Sequence, residues 1–313
     1  MTDPRFRRQH ATGDIFETAG HPDNFGFVLI AVSGATGFIG SNVLGSVIRR
    51  GWNCIGLVHL REPEMPDSER LQFIRLHGST EEQFHQLSRH RIDVVVHCAT
   101  RYSAHASLVN ADEMISGNIQ AGLPLVEYAS ENKSLFINLS TVFQHGPGLR
   151  YHPNSLYAAT KQAFADVLEH YILNRDLLAL DLCLHDTYGP GDRRRKLMPQ
   201  LLEALLSQQQ VNIGSLDTPL NLLYISDVVQ AIITSIETGV TGSFSVVADA
   251  NHTIREIIDV LEQISGLQVP FAIDPDLLRN SVFPRAVAPR LPLWKPAVEL
   301  HQGLSNLLKD CQA

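Results

Sequence analysis

Tyr157 and Lys161 stand four residues apart in Tyr157-Ala158-Ala159-Thr160-Lys161, at the head of an apolar-periodic segment that runs to about Leu173. On a helix, positions four apart share a face one turn apart, so a phenol and an ammonium would project into the same space. A free phenol has a pKa of about 10, and a neighbouring cation favours the phenolate. Such a pair can give or take a proton near neutral pH. Two other stretches have chemistry to offer. Ser33-Gly34-Ala35-Thr36-Gly37-Phe38-Ile39-Gly40 can turn sharply and approach an anion, and Ser140-Thr141 carries two adjacent hydroxyls.

These groups need elements to position them. Phe27 to Val32 is a short, continuously apolar run, as expected of a strand buried on both faces. The glycine stretch follows it at once, and a helical pattern from Asn42 to Arg50 follows the glycines. Strand, glycine turn and helix in this order suit a dinucleotide, because the helix N-terminus presents unpaired N–H groups to a pyrophosphate. Further strands are expected at Cys54 to Val58, Leu71 to Leu76, Ile92 to Cys98, Ser134 to Leu139 and Leu178 to Leu184. Helices are expected from about Ala111 to Asn132, containing Asn118, and from Tyr157 onward. This alternation implies an α/β fold with a doubly wound parallel sheet, and ligands gather at the carboxyl ends of such strands. Ser140, Thr141 and Tyr188 all stand at such ends.

The fold expected is a Rossmann sheet with a smaller C-terminal substrate-binding lid. Residues 1–26 read as a flexible extension and 27–187 as the dinucleotide-binding domain, with 220–248 returning to it in part; 188–219 and 249–313 would form the lid. Later helices are expected at Leu197 to Gln208, Asp227 to Thr238, Ile254 to Ser265 and Pro296 to Leu308, with strands at Leu220 to Ile225 and Ser243 to Val247.

Composition removes several function classes. A formal charge of -8 gives no net positive field for phosphate backbones, so nucleic acid is not an expected partner. Arg193-Arg194-Arg195-Lys196 is a local exception that could face solvent or a phosphate. No run approaches 18 apolar residues and the N-terminus has no apolar core, so neither a membrane nor a signal peptide is expected, and the expected address is the cytoplasm. Cys54, Cys98, Cys183 and Cys311 are widely spaced and read as reduced thiols; the 14 histidines show no zinc-type spacing, so no metal is expected.

At the end of the second strand an NAD-binding chain usually carries an acid for the ribose 2'-hydroxyl. His59 and Arg61 stand there instead. Their charge favours a 2'-phosphate, hence NADP(H) with NAD(H) possible, although Arg61 could equally pair with Glu62 or Glu64.

Glycine turn, Ser/Thr strand end and Tyr-x3-Lys, in this order, resemble the extended short-chain dehydrogenase/reductase family, which includes sugar-nucleotide epimerases, dehydratases and ketoreductases. Asp93-Val94-Val95-Val96-His97-Cys98-Ala99, Tyr188-Gly189-Pro190-Gly191-Asp192, Tyr224-Ile225-Ser226-Asp227-Val228-Val229 and Leu293-Trp294-Lys295-Pro296 extend the likeness over about residues 27–308. Within the family, His97 to Tyr102, Asn138 to His145 and Asn154 to Phe164 look most similar to the bacterial 3,6-dideoxyhexose synthases, such as abequose and paratose synthases, which reduce the 4-keto group of a CDP-linked sugar.

The resemblance implies roles. Tyr157 would protonate a carbonyl oxygen, Lys161 would lower its pKa and hold the nicotinamide ribose, and Thr141 or Ser140 would bond the same oxygen. Asn118 falls near the family's helix asparagine. Gly34, Ala35, Thr36, Gly37, Phe38, Ile39 and Gly40 would receive the pyrophosphate, with Ala99, Thr100 and Tyr188 also beside the cofactor. Thr100, Tyr102, Thr141, Asp186, Arg193, Arg195 and Arg285 are candidate substrate contacts. A homodimer through the helices beginning near Ala111 and Tyr157 is also implied. Two departures narrow the activity. Dehydratases carry Asp-Glu after the catalytic Thr, where Val142 and Phe143 stand here; many members also carry an Arg where Leu220 and Asn221 stand. An NADPH-dependent 4-ketoreductase acting on a sugar nucleotide is therefore expected, with an NAD-retaining 4-epimerase or a non-catalytic dinucleotide sensor as alternatives.

Overall fold

The computed structural model describes residues 28–103, 107–145, 151–278 and 288–312. The expected N-terminal extension and Arg285 lie outside them. The first part of the chain forms β1 (Leu29–Ser33), α1 (Phe38–Arg49), β2 (Asn53–Val58), β3 (Leu71–Arg75), α2 (Thr80–Leu87) and β4 (Val94–His97). It continues through α3 (Leu108–Asn118), α4 (Leu123–Asn132), β5 (Leu135–Thr141), α5 (Leu156–Arg175) and β6 (Ala179–Leu184). Then follow β7 (Asp186–Tyr188), α6 (Leu197–Ser207), β8 (Val211–Ile213), β9 (Pro219–Leu220), β10 (Leu222–Tyr224), α7 (Ile225–Thr238), β11 (Gly242–Val246), β12 (His252–Thr253), α8 (Ile254–Ser265), β13 (Phe271–Ile273) and α9 (Leu300–Gln312).

Seven strands pair in the order β11-β6-β5-β4-β1-β2-β3, every neighbour parallel. Strand order reverses between β1 and β4, so the ligand crevice of a doubly wound sheet opens at their carboxyl ends. Both faces are dry. Ile30, Val32, Val96 and Ile137 pack with Val43 and Val47 of α1 and Ile232 of α7 on one side. Ala31, Val95 and Phe136 pack with Leu125 of α4 and Phe164 of α5 on the other.

Three elements differ from the sequence pattern, each for a steric or hydrogen-bonding reason. The helix expected over Ala111 to Asn132 is two helices, α3 and α4, separated by a turn of 3-10 helix at Gln120–Gly122. A side chain at Gly122 would strike Phe164, and Pro124 begins the next helix, so the break lets the chain pass under α5. The strand expected over Leu220 to Ile225 is split. β9 pairs with β12 and β10 with β7, because Asn221 between them turns its amide to Ala248 O (3.1 Å), Ala250 O (3.3 Å) and Asn251 Oδ1 (2.9 Å) while accepting from Ala248 N (2.8 Å). The last helix begins at Leu300 rather than Pro296, because the preceding backbone is bound elsewhere: Ala297 and Val298 N–H groups donate to the Asp227 carboxylate at 3.1 Å each, and Trp294 Nε1 donates to Asp227 O at 3.0 Å. Two motifs far apart in sequence thus form one clasp.

At the glycine turn, backbone approaches backbone closely. Gly34 has φ +65°, and a Cβ there would stand 2.7 Å from the Ala99 backbone; one at Gly40 would strike Gly34 O. Gly34→Ala is expected to lower unfolding free energy by about 2 kcal/mol through strain and overpacking and to weaken dinucleotide binding about tenfold or more, read by denaturant titration and by NADPH fluorescence.

Candidate active site

The glycine turn joins β1 to α1 at the switch point. Gly37 N–H donates to Gly34 O at 2.8 Å, and α1 begins with neither a side-chain cap nor an acid in its first turn. Its N-terminal N–H groups and dipole suit an anion. The bare Gly34 and Gly40 leave the close approach that a pyrophosphate requires, so this region fits a dinucleotide. Ser33 Oγ, at the end of β1, accepts from Ala99 N (3.3 Å) and bonds His97 Nδ1 (2.8 Å), which brings Ala99 and Thr100 against the turn.

Asn118 is fully buried and uses its whole amide. Its Nδ2 donates to Arg101 O and Thr160 Oγ1, both at 2.9 Å, and its Oδ1 accepts from Thr100 Oγ1 (3.0 Å) and Arg101 N (2.6 Å). Thr160 Oγ1 in turn donates to Tyr157 O at 2.8 Å. Asn118 therefore ties the segment after β4 to the first turn of α5, where Ser155 caps the helix by accepting from Ala158 N (3.2 Å). Tyr157 emerges from that turn, its side chain bonded to Thr100 and its ring edge-on to Tyr102 at 5.2 Å.

Electrostatically, Tyr157 and Lys161 occupy different surroundings. Burial pushes the Tyr157 phenol up to about 12, opposed by Thr100 and by the Arg194 guanidinium. The expected lowering by Lys161 is absent: the side chains acting on the phenol are Thr100, Arg194, Tyr102 and Asp186. Lys161, 2% exposed, faces the sheet instead; burial lowers its ammonium to about 8, opposed by Asp181 and Cys98. Tyr157 thus holds its proton at neutral pH as a potential acid. Ser140 and Thr141 also separate. Ser140 Oγ donates to Asp181 Oδ2 at 2.6 Å, which commits its proton. Thr141 Oγ1 accepts from Phe143 N at 3.4 Å, leaving its own proton to donate, and Gln144 fixes the turn by accepting from Thr141 N (2.9 Å) and donating to Gln162 of α5 (2.8 Å).

The arginine run sorts by side. Arg193 and Arg195 are exposed, Arg193 in a surface pair with Glu64 at 2.8 Å. Arg194 turns inward, where Asp192 grips it at 2.7 Å from both Nε and Nη2, Thr187 accepts from Nη2, and the guanidinium lies 4.5 Å over the Phe38 ring. Lys196 bonds Asp186 at 3.0 Å and stands 5.7 Å over the Tyr102 ring. The cations turned toward Tyr157 and Tyr102 are therefore Arg194 and Lys196 rather than Arg193 and Arg195; a short loop run has no periodicity from which to read this. Tyr188 differs too. Its ring is 1% exposed, edge-on to Tyr224 at 5.4 Å and against Gly303, so it packs the core and its side chain does not reach the cleft.

At the end of β2, His59, Arg61 and Glu62 are exposed. Glu62 pairs with Arg75, which also donates to His59 O, and Glu64 pairs with Arg193, so among the described residues no acid pairs with Arg61. Arg75 is a residue here that the sequence pattern does not reveal: it closes β3, and Val58 faces it in register. Among the described residues no acid, His or Cys cluster forms a metal site, and no helix is long and apolar enough to cross a membrane.

A glycine turn open to a pyrophosphate, beside a tyrosine that keeps its proton, defines the class: a nicotinamide-dependent oxidoreductase on an extended Rossmann fold. The chain belongs to the NAD dependent epimerase/dehydratase family, which it matches over residues 30–248. It is 25% identical to a dTDP-4-dehydro-6-deoxyglucose reductase of Escherichia coli, over 90% of this chain and 96% of that one, and 24% identical to a CDP-abequose synthase of Salmonella typhimurium, over 90% and 97%. Among solved structures it is similar to the UDP-glucose 4-epimerase of Thermotoga maritima with UDP-glucose (TM-score 0.78, 22% identity, 91% and 99% coverage) and to the UDP-glucuronic acid 4-epimerase of Bacillus cereus with UDP-glucuronic acid and NAD (0.78, 24%, 91% and 99%).

Two outcomes are expected from this geometry. Asn118→Ala removes four hydrogen bonds, one of them fully buried and three partly buried, and should cost about 2 kcal/mol of stability, seen as a lower denaturation midpoint at unchanged slope. Turnover should fall as pH rises through about 8, where Lys161 loses the proton that makes it a cation; a pH profile flat to pH 9.5 would contradict that role.

Proposed function

We propose that this enzyme reduces the keto group, at C4, of a nucleotide-linked deoxy sugar with NADPH. The observation that carries the reading is the basic end of β2. Arg75 donates to His59 O and pairs with Glu62, and Arg61 is exposed on the same loop; this charge favours a 2'-phosphate over the bare ribose of NAD, and a reductase must exchange its dinucleotide each turnover. The named reductases among its relatives support the same reaction. Val142, fully buried, and Phe143 follow Thr141, so no carboxylate stands there to remove water from a sugar.

When bound, the reduced nicotinamide supplies the hydride. Gly34, Ala35, Thr36, Gly37, Phe38, Ile39 and Gly40 hold the pyrophosphate, and Ala99 and Thr100 line the same crevice. Thr141 donates a hydrogen bond to the carbonyl oxygen and Tyr157 protonates it, two interactions that strengthen as negative charge develops there. Lys161 stays charged beneath them. Arg194 and Lys196, beside Tyr102 and Asp186, supply positive charge on the substrate side. Exposed Leu108, Val109 and Ile115 on α3, with Leu173 on α5, support a homodimer through these helices.

The solved 4-epimerases of the same fold support one second reading, an epimerase that retains NAD. Purified protein decides between them. NADPH oxidation by 4-keto sugar nucleotides is expected; stoichiometric tightly held NAD with no net oxidation would favour the epimerase. Tyr157→Phe should reduce turnover about 100- to 10,000-fold with NADPH affinity within a few-fold of the parent, and turnover near the parent's would move the acid elsewhere.

A further inference from the structure

A hydrogen-bonded chain runs from the end of β5 to the outside of α5 through two glutamines. Thr141 N donates to Gln144 Oε1 (2.9 Å), Gln144 Nε2 donates to Gln162 Oε1 (2.8 Å), and Gln162 Nε2 donates to Asp166 Oδ1 (2.7 Å). Gln144 and Gln162 are buried, and Asp166 is exposed. Two amides in an interior need a reason, because apolar side chains of similar shape would fill the space with no polar group to satisfy.

Direction supplies the reason. An amide has a donor end and an acceptor end, whereas a backbone N–H only donates and a carboxylate only accepts. From the Thr141 side, Gln144 must present its oxygen; from the Asp166 side, Gln162 must present its nitrogen. The ends left over are a nitrogen on Gln144 and an oxygen on Gln162, and these are the two that meet. Each link fixes the next, so one carboxylate on the surface sets the polarity of the whole chain.

What the chain holds is the turn that carries the Thr141 hydroxyl. Thr141 and Gln144 cap each other around the turn of 3-10 helix at Val142–Gln144, in which Thr141 Oγ1 accepts from Phe143 N at 3.4 Å. Backbone bonds from His152 N to Gln144 O (3.1 Å) and from Asn154 N to Phe143 O (3.2 Å) tie this turn to the segment before α5. The two glutamines add a tie to α5 itself, the helix whose first turn presents Tyr157.

We propose that Gln144, Gln162 and Asp166 are positioning residues for Thr141: their hydrogen bonds, locked in one direction, seat its turn on α5, so that one helix holds the Thr141 hydroxyl and the Tyr157 phenol at a fixed separation for the same carbonyl oxygen. This rests on Thr141 being a donor to that oxygen. A merely structural chain would stabilise the fold and leave the reaction of the folded enzyme unchanged.

Gln162→Leu in the full-length protein removes the middle link while leaving Thr141 itself in place. With a 4-keto-6-deoxy sugar nucleotide as substrate, kcat should fall about tenfold, with KM and NADPH affinity within a few-fold of the parent. The Thr141 amide proton should exchange about tenfold faster, a readout that needs no substrate. Gln162→Glu combined with Asp166→Asn reverses the outer bond but keeps an acceptor toward Gln144, so it should restore both quantities. Parental kcat and parental Thr141 exchange in folded Gln162→Leu overturn the proposal, as does a loss of stability with kcat unchanged. If Gln162→Leu does not fold, Asp166→Leu at the exposed end decides, because it frees the Gln162 amide to turn over: kcat should fall and Thr141 exchange should rise, and no movement in either is the overturning result. Thr141→Val is measured in parallel. Turnover near the parent's there, with Thr141 exchange raised in Gln162→Leu, removes Thr141 as the donor and leaves the chain as the seat of its turn.

Discussion

Everything in the cleft depends on how the chain after β4 is held against α5, and Asn118 does the holding. An amide has two donors and one oxygen with two lone pairs. All are used within one buried cluster, two on Arg101, one on Thr100 and one on Thr160. The cluster sets the distance between the strand end that meets the glycine turn and the helix turn that presents Tyr157. Asn118 and Thr160 are buried while Thr100 and Arg101 reach the surface, so the amide carries the bonds from the exposed segment into the interior. The interruption between α3 and α4 follows from the same need, since Asn118 ends α3 and Gly122 must pass beneath Phe164.

A second consequence is electrostatic. The spacing of Tyr157 and Lys161 suggests one shared environment, yet the two side chains have different neighbours. Tyr157 lies toward Thr100, Tyr102 and Arg194, and Lys161 lies toward Cys98 and Asp181. Desolvation acts on both and in opposite senses, holding the phenol neutral and easing the ammonium toward neutrality. A neutral phenol is the form that a reduction uses, so the division suits a proton donor.

Much of this was legible in the chain. Glycines at 34, 37 and 40 after an apolar run state a steric requirement that few other residues meet, and four-residue spacing on a helix is geometry rather than statistics. The parallel sheet followed from alternation, because parallel pairing needs the intervening helices. What escaped is what only tertiary contact decides. Four consecutive basic residues in a loop have no period to say which turn inward, and the choice falls to Arg194 because Asp192 and Thr187 are placed to receive it. Arg75 looked like a strand residue until its neighbour was known to be Val58. Asp181 is one polar residue within an expected apolar strand, with nothing nearby in sequence to show that Asn138 and Ser140 would meet it. Tyr188 erred in the other direction: strand-end position suggested the cleft, whereas the bare Gly303 admits its ring to the core.

The substrate side of the cleft follows from charge balance. Arg194 is gripped by Asp192, whose side chain is 3% exposed, and Lys196 is bonded to Asp186. An arginine held by two hydrogen bonds to one carboxylate is a fixed donor, whereas a lysine in a single pair can change partner. An anionic ligand would therefore meet one rigid cation stacked on Phe38 and one movable cation over Tyr102. The absence of an arginine at Leu220 and Asn221 has a structural counterpart, since Asn221 is committed to the 248–251 loop and is 6% exposed. In the reductase reading, the loop after β7 would hold the nucleotide part, since it carries Arg194 and Lys196. That loop lies beside the glycine turn, because Arg194 is stacked on Phe38, the first residue of α1.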